Sequence, residues 1–103
     1  MESEHNIQSN IMLEVSKHDC TIFRSNAGQV KLPDGRIFKA MPKGFPDLCG
    51  FRHSDGKMFF IEVKNEKGRL RPEQIKFKAM AEQYPVLYGV ARSVEDAINI
   101  ING

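Results

Sequence analysis

The segment Phe59-Phe60-Ile61-Glu62-Val63-Lys64 constrains the fold more than any other stretch of this chain. Aromatic and β-branched residues suit a pleated surface, and the run alternates. Phe59, Ile61 and Val63 fall on one face, and Phe60, Glu62 and Lys64 on the other. Further on, Val86 to Ala91 is a nearly continuous apolar run, as expected of a strand covered on both faces. Between the two, Pro72 suits the first turn of a helix that continues to about Gln83 and is closed by Pro85. A strand, a helix and a second strand in this order make a crossover, so the chain is expected to build a sheet with a parallel pair and a helix across it.

The flanking segments extend that sheet. Residues 46–52 and 57–64 surround the turn His53-Ser54-Asp55-Gly56 and read as a hairpin. Cys20 to Ser25 alternates as a short strand and stops at Asn26-Ala27-Gly28. Arg36 to Ala40 forms another after the Pro33-Asp34-Gly35 turn. Ser3 can cap a first helix running to about His18, with Ile7, Ile11 and Val15 as its buried stripe. In the helix from Pro72, Ile75, Ala79 and Met80 are expected to face inward. Ser93-x-x-Asp96 resembles a capping box opening a last helix, with Ala97, Ile98 and Ile101 turned inward. The expected order is αβββαβα, with three or four strands before the second helix. That gives a mixed central sheet flanked by helices, of α/β (α+β) class, in one domain over residues 1–103.

A chain of 103 residues can bury one core and not two. No apolar run approaches the roughly 20 residues of a membrane span, and the acidic start Met1-Glu2-Ser3-Glu4-His5 lacks a signal peptide's pattern. An intracellular protein without a membrane partner is therefore expected. Cys20 and Cys49 stand far apart with no metal-ligand spacing around them, so they read as small buried hydrophobes. The formal net charge is only +2, yet residues 31–78 hold twelve of the fifteen bases and six of the thirteen acids. A basic middle between acidic ends is compatible with a polyanion-binding face and equally with ordinary solvated loops.

Chemistry concentrates on the hairpin. Glu62 and Lys64 project side by side from a rigid strand, and Pro46-Asp47-Leu48 on the partner strand can bring Asp47 next to Glu62. Two neighbouring carboxylates are costly without a cation between them, and Mg²⁺ typically takes one or two carboxylates plus phosphate oxygens and water. Glu14, near the inner stripe of the first helix, is a candidate third carboxylate. Lys64 could orient or help deprotonate an attacking water, or stabilise charge on a phosphorane. Pro33-Asp34 and Asp55-Gly56-Lys57 match the same fragments, but each lies in a glycine-containing turn where side chains are solvated. Lys43, Lys67, Arg69 and Arg71 bracket the site on loops as candidate phosphate contacts. With two Tyr and no Trp, shape and backbone recognition are favoured over base stacking.

Gly44-Phe45-Pro46-Asp47-Leu48, then Phe60-Ile61-Glu62-Val63-Lys64-Asn65-Glu66-Lys67-Gly68-Arg69-Leu70 and Pro72-Glu73-Gln74, resembles the virus-type replication-repair nuclease (VRR-NUC) domain of the PD-(D/E)XK superfamily, in its stand-alone phage or bacterial form. The likeness covers nearly the whole chain. It implies a restriction-endonuclease-like core and a Mg²⁺- or Mn²⁺-dependent deoxyribonuclease with no nucleotide cofactor. Asp47 and Glu62 would bind the metal, Glu14 would match the family's helical glutamate, and Val63 would lend its carbonyl. Lys64 would be the catalytic lysine and Gln74 the supporting glutamine. The resemblance further implies action on branched DNA such as Holliday junctions, a homodimer, and residence in the cytoplasm of a bacterium or a phage-infected host. Tyr84-Pro85 departs from the glycine-containing turn of the pattern. The alternative is a catalytically inactive module that binds DNA junctions or ends; such a module would be expected to have lost Asp47, Glu62 or Lys64, and all three are present.

Overall fold

The computed structural model describes residues 1–25, 29–39 and 41–103. The elements in chain order are α1 (Glu4–Val15), β1 (Cys20–Arg24), β2 (Gln29–Lys31), β3 (Ile37–Lys39), β4 (Leu48–Arg52), β5 (Met58–Val63), α2 (Pro72–Ala81), β6 (Leu87–Ala91) and α3 (Val94–Ile101). Among the described residues five strands thus precede α2, where the sequence suggested three or four. The additional one, β2, is a three-residue piece paired antiparallel with β3 as a separate two-stranded sheet. The expected turn at Asn26-Ala27-Gly28 and the strand end at Ala40 lie outside the described residues.

The main sheet has the order β1-β4-β5-β6. β1 and β4 are antiparallel, β4 and β5 form the expected hairpin with Leu48 opposite Ile61, and β5 runs parallel to β6 with Val63 opposite Ala91. The crossover is α2, as the strand, helix and strand pattern requires. β6 is an edge strand in which Ala91 alone is buried, so its apolar run is less covered than expected.

The alternation in β5 sorts the two faces. Phe59, Ile61 and Val63 meet Ile7, Ile11 and Val15 of α1, Leu48 of β4, and Ala97 and Ile101 of α3 in one core. Ser3 caps α1, its Oγ accepting from Asn6 N at 3.1 Å, and the helix ends at Val15, short of His18. Ser93 caps α3 through Asp96 N, while the Asp96 carboxylate accepts from Arg92 N at 2.9 Å, one residue earlier than a capping box would have it.

On the opposite face α2 lies over β6 with its phase turned from expectation. Gln74 and Ala81 are buried, whereas Ile75 is 52% exposed, Met80 45% exposed, and Ala79 exposed. Phe77, not these three, reaches the sheet. Its ring centroid lies 5.1 Å from Phe60, 5.3 Å from Phe45 and 6.1 Å from Tyr88. Phe23, Phe51 and Met58 share that sheet face by strand alternation and are exposed beyond the reach of α2. Among the described residues, no helix is long and apolar enough to cross a membrane.

Candidate active site

The site is built where the loop entering β4 meets the end of β5. Pro46 is fully buried, and Asp47 just before β4 turns its carboxylate across the hairpin, accepting from Val63 N at 2.8 Å. Its own carbonyl accepts from Ser25 N at 2.8 Å, so the residue is pinned on both sides. Gly44 sets the approach of this loop. It adopts φ +93°, and a side-chain carbon there would lie 2.6 Å from the backbone oxygen of Glu73 in the first turn of α2. Only glycine meets both demands.

Glu62 is 1% exposed, on the same sheet face as Phe60 and near enough to Tyr88 for its charge to be felt there. Gln74 Nε2 donates to Glu62 Oε1 at 3.2 Å, and Gln74 Oε1 accepts from Arg71 N at 2.8 Å, so one 4%-exposed side chain both caps α2 and holds the carboxyl. That explains the phase of α2: its inward face must carry a polar residue to Glu62. Glu62 Oε2 is buried with no hydrogen-bond partner. Burial, and then Asp47 beside it, push Glu62 up to about 9, while Lys64 and Arg71 pull the other way. The Tyr88 hydroxyl is also buried without a partner, and burial followed by the nearby Glu62 charge pushes it up to about 12.

An orphaned carboxylate oxygen beside a second carboxylate is the donor set of a small hard cation, and Mg²⁺ or Mn²⁺ fits it. Among the described residues no three His, Cys, Asp or Glu side chains converge to hold a metal by themselves. The residues that would hold such a cation are Asp47 and Glu62, with the backbone of Val63 alongside.

The structure brings Asp47, Glu62, Lys64 and Gln74 together but not Glu14. Lys64 is 7% exposed and has no ion-pair partner among the described residues. Glu14 is half-exposed in the last turn of α1 and pairs with Lys17 at 3.3 Å. α1 leads from there into Cys20, which pairs with Arg52 at the end of β4 remote from Asp47. The carboxylate of this helix nearer the Asp47 end of the sheet is Glu4, ten residues earlier and about 15 Å along the axis, and it meets the loop after Lys64 without clustering with Asp47 and Glu62. Its Oε2 accepts from Asn65 N at 3.4 Å, and a side-chain carbon at Gly68 would lie 2.8 Å from that oxygen and 3.2 Å from Lys64 Cδ.

Of the basic residues, Lys43 is exposed and pairs with Glu73 at 3.6 Å, and Arg71 sits at the start of α2 with its charge felt at Glu62. Lys67 and Arg69 are exposed on the β5–α2 loop. The two look-alike fragments are ordinary turns. Asp34 pairs with Arg36 at 2.6 Å, and Asp55 with Arg52, whose hydrogen bonds pull Asp55 down to about 2. Sequence reasoning missed Glu4 and Tyr88, and it gave no individual role to Gly44 or to Arg92, although both stand in stretches that carry the family likeness. Asn65-x-x-Gly68 was the one legible signal for the last, since a loop in which an Asn side chain closes the turn offers its carbonyls to a neighbour.

No protein of curated function matches this sequence. A solved structure described as a VRR_NUC domain shares the fold, with a TM-score of 0.69 and 20% identity over 96% of this chain and 94% of the other. The profile of the VRR-NUC domain family matches residues 3–95. That match spans the first helix, both strands of the carboxylate hairpin and the glutamine-bearing helix, and it makes the chain a member of the VRR-NUC family, a nuclease-type domain acting on DNA.

Proposed function

We propose that this protein is a divalent-metal-dependent, structure-selective deoxyribonuclease, cutting phosphodiester bonds as an endonuclease on branched DNA such as four-way junctions in replication, repair or recombination. The observation that carries the reading is Glu62 Oε2, buried without a partner beside Asp47. Asp47 and Glu62 would hold Mg²⁺ or Mn²⁺ with the Val63 carbonyl, and Glu4 rather than Glu14 is the first-helix carboxylate on this side of the molecule. The cation, when bound, supplies Lewis-acid stabilisation of negative charge growing on the phosphate. Lys64 orients the attacking water and offsets the charge on the phosphate as the water oxygen bonds to phosphorus and the opposite P–O bond breaks, the water giving a proton to solvent and the leaving oxygen taking one from it. Gln74 fixes the Glu62 carboxyl, and Lys43, Lys67, Arg69 and Arg71 contact backbone phosphates. Symmetric cuts in a junction need two sites, which an intracellular homodimer supplies, and the exposed Phe23, Phe51 and Met58 support self-association.

The test is a panel of four-way junctions, flaps, duplexes and single strands incubated with purified protein in Mg²⁺, Mn²⁺ or chelator. Cutting in either metal, preferring branched substrates and lost in Glu62→Ala and Lys64→Ala, supports the reading. Intact substrates throughout, or variants that cut like the parent, overturn it.

A further inference from the structure

Next to the carboxylate centre the β5–α2 loop and the end of β6 enclose an open cleft of about 610 Å³, lined by Glu66, Lys67, Gly68, Arg69 and Arg92. Its floor is tied down from three directions. Arg92 Nη1 donates to the carbonyls of Asn65 at 2.6 Å and Gly68 at 2.7 Å. Asn65 Oδ1 accepts from Lys67 N at 3.1 Å and Gly68 N at 2.8 Å, and Glu4 accepts from Asn65 N. Arg92 is itself held by its N–H to Asp96 at the start of α3.

The charge of this cleft is unbalanced, with the cations of Lys67, Arg69 and Arg92 standing against the one carboxylate of Glu66 in its lining. Lys67, Arg69 and Arg92 have no carboxylate within ion-pair distance among the described residues. An Nη1 nitrogen carries two hydrogens, and both are spent on the loop. The Nη2 and Nε of Arg92 have no partner among the described residues, and the side chain is exposed. A guanidinium edge with free N–H groups, flanked by two more cations, matches the oxygens of a phosphate. Gly68, one wall of the cleft, lies against the stem of Lys64. A phosphate held here is therefore a near neighbour of the one attacked.

We infer that this cleft binds an internal backbone phosphate beside the scissile one, and that Arg92 serves it twice, clamping the loop with one nitrogen and meeting the phosphate with the others. The inference rests on the reading of Asp47, Glu62 and Lys64 as the cutting centre. The experiment measures affinity of the full chain for junction DNA by fluorescence anisotropy, in chelator so that nothing is cut, across a KCl series. Each lost phosphate contact lowers the slope of log K against log salt by about 0.9 on duplex arms. Arg92→Gln, and separately Lys67→Ala with Arg69→Ala, are expected to lower the slope by about one and weaken binding roughly five- to tenfold at low salt. Arg92→Lys, keeping the charge and donors for the carbonyls, is expected to retain most of the slope, and Lys57→Ala in the β4–β5 turn all of it.

Should Arg92→Gln fail to fold, the double variant decides, because it leaves the clamp intact. Slopes equal to the parent in both overturn the inference, as does a deficit seen only on strands bearing a terminal 5′-phosphate, which would make the cleft a reader of ends. A protein that shows these slopes yet never cuts in metal retains the inference and loses the nuclease reading. One that cuts with unchanged slopes does the reverse.

Discussion

Glu62 decides the pH behaviour of the chain without metal. Its carboxyl titrates near 9 in the fold and near 4.5 when exposed, so between those values the folded state binds more protons than the unfolded state. Stability without metal therefore falls as pH rises from about 5 towards 9. Glu62→Gln, which keeps the shape and removes the buried charge, is expected to flatten that slope and raise stability at pH 8 by a few kcal/mol, read from urea midpoints at pH 5, 7 and 9. A parent curve flat over the same range would contradict the burial argument. Gln74→Ala removes the partner of both Glu62 Oε1 and Arg71 N and should cost about 1–3 kcal/mol in the same assay, together with cutting activity. The juxtaposition of Asp47, Glu62, Lys64 and Gln74 was legible in the sequence, Glu62 and Lys64 through strand alternation, Asp47 through the adjacent strand and Gln74 through family resemblance. Helical phase places Glu4 nearer than Glu14 to the middle of the Ile7, Ile11 and Val15 stripe, but it does not say which end of the helix abuts the working end of the sheet.

At the scale of elements, the hairpin and the crossover were readable, since period-two alternation and a proline-started helix leave few alternatives. The phase of α2 was not. Ile75, Ala79 and Met80 are the apolar choices, but the face that meets the sheet has to bring Gln74 to Glu62 and Phe77 into the aromatic wall. Replacing Met80 by Gln should accordingly change stability by no more than about 0.5 kcal/mol, whereas Phe77→Ala should cost about 3–5 kcal/mol. Equal costs in thermal melts would restore the apolar phase. Gly44→Ala makes a sharper test of the loop that carries Asp47: the positive φ and the 2.6 Å approach to Glu73 both resist a methyl group. A loss of about 1–3 kcal/mol is expected, with Asp47 displaced from Val63 N and activity reduced beyond the loss of folded protein. β2 and β3 are equally short, but only β3 follows the Pro33-Asp34-Gly35 turn and carries two adjacent apolar residues, Ile37 and Phe38, whereas Gln29–Lys31 offers Val30 alone.

Over the whole molecule, a net charge of +2 hides a division of labour. The acids of the basic middle are largely engaged: Asp34 and Asp55 by arginines in turns, Glu73 by Lys43, Asp47 and Glu62 at the centre. Among the described residues, the cations around the β5–α2 loop are left without carboxylate partners, at the end of the sheet where Lys64 stands. A divalent cation at Asp47 and Glu62 would make that end more positive still, so phosphate attraction and metal loading are coupled. Calorimetric titration of Mn²⁺ into the chain at pH 7, in buffers of different ionisation enthalpy, asks whether Asp47 and Glu62 form a metal centre. Binding is expected to release about one proton, the one Glu62 gives up, and Glu62→Gln is expected to lose the proton release and most of the affinity. Absence of Mn²⁺ binding, or binding that releases no proton and survives Glu62→Gln, would contradict such a centre.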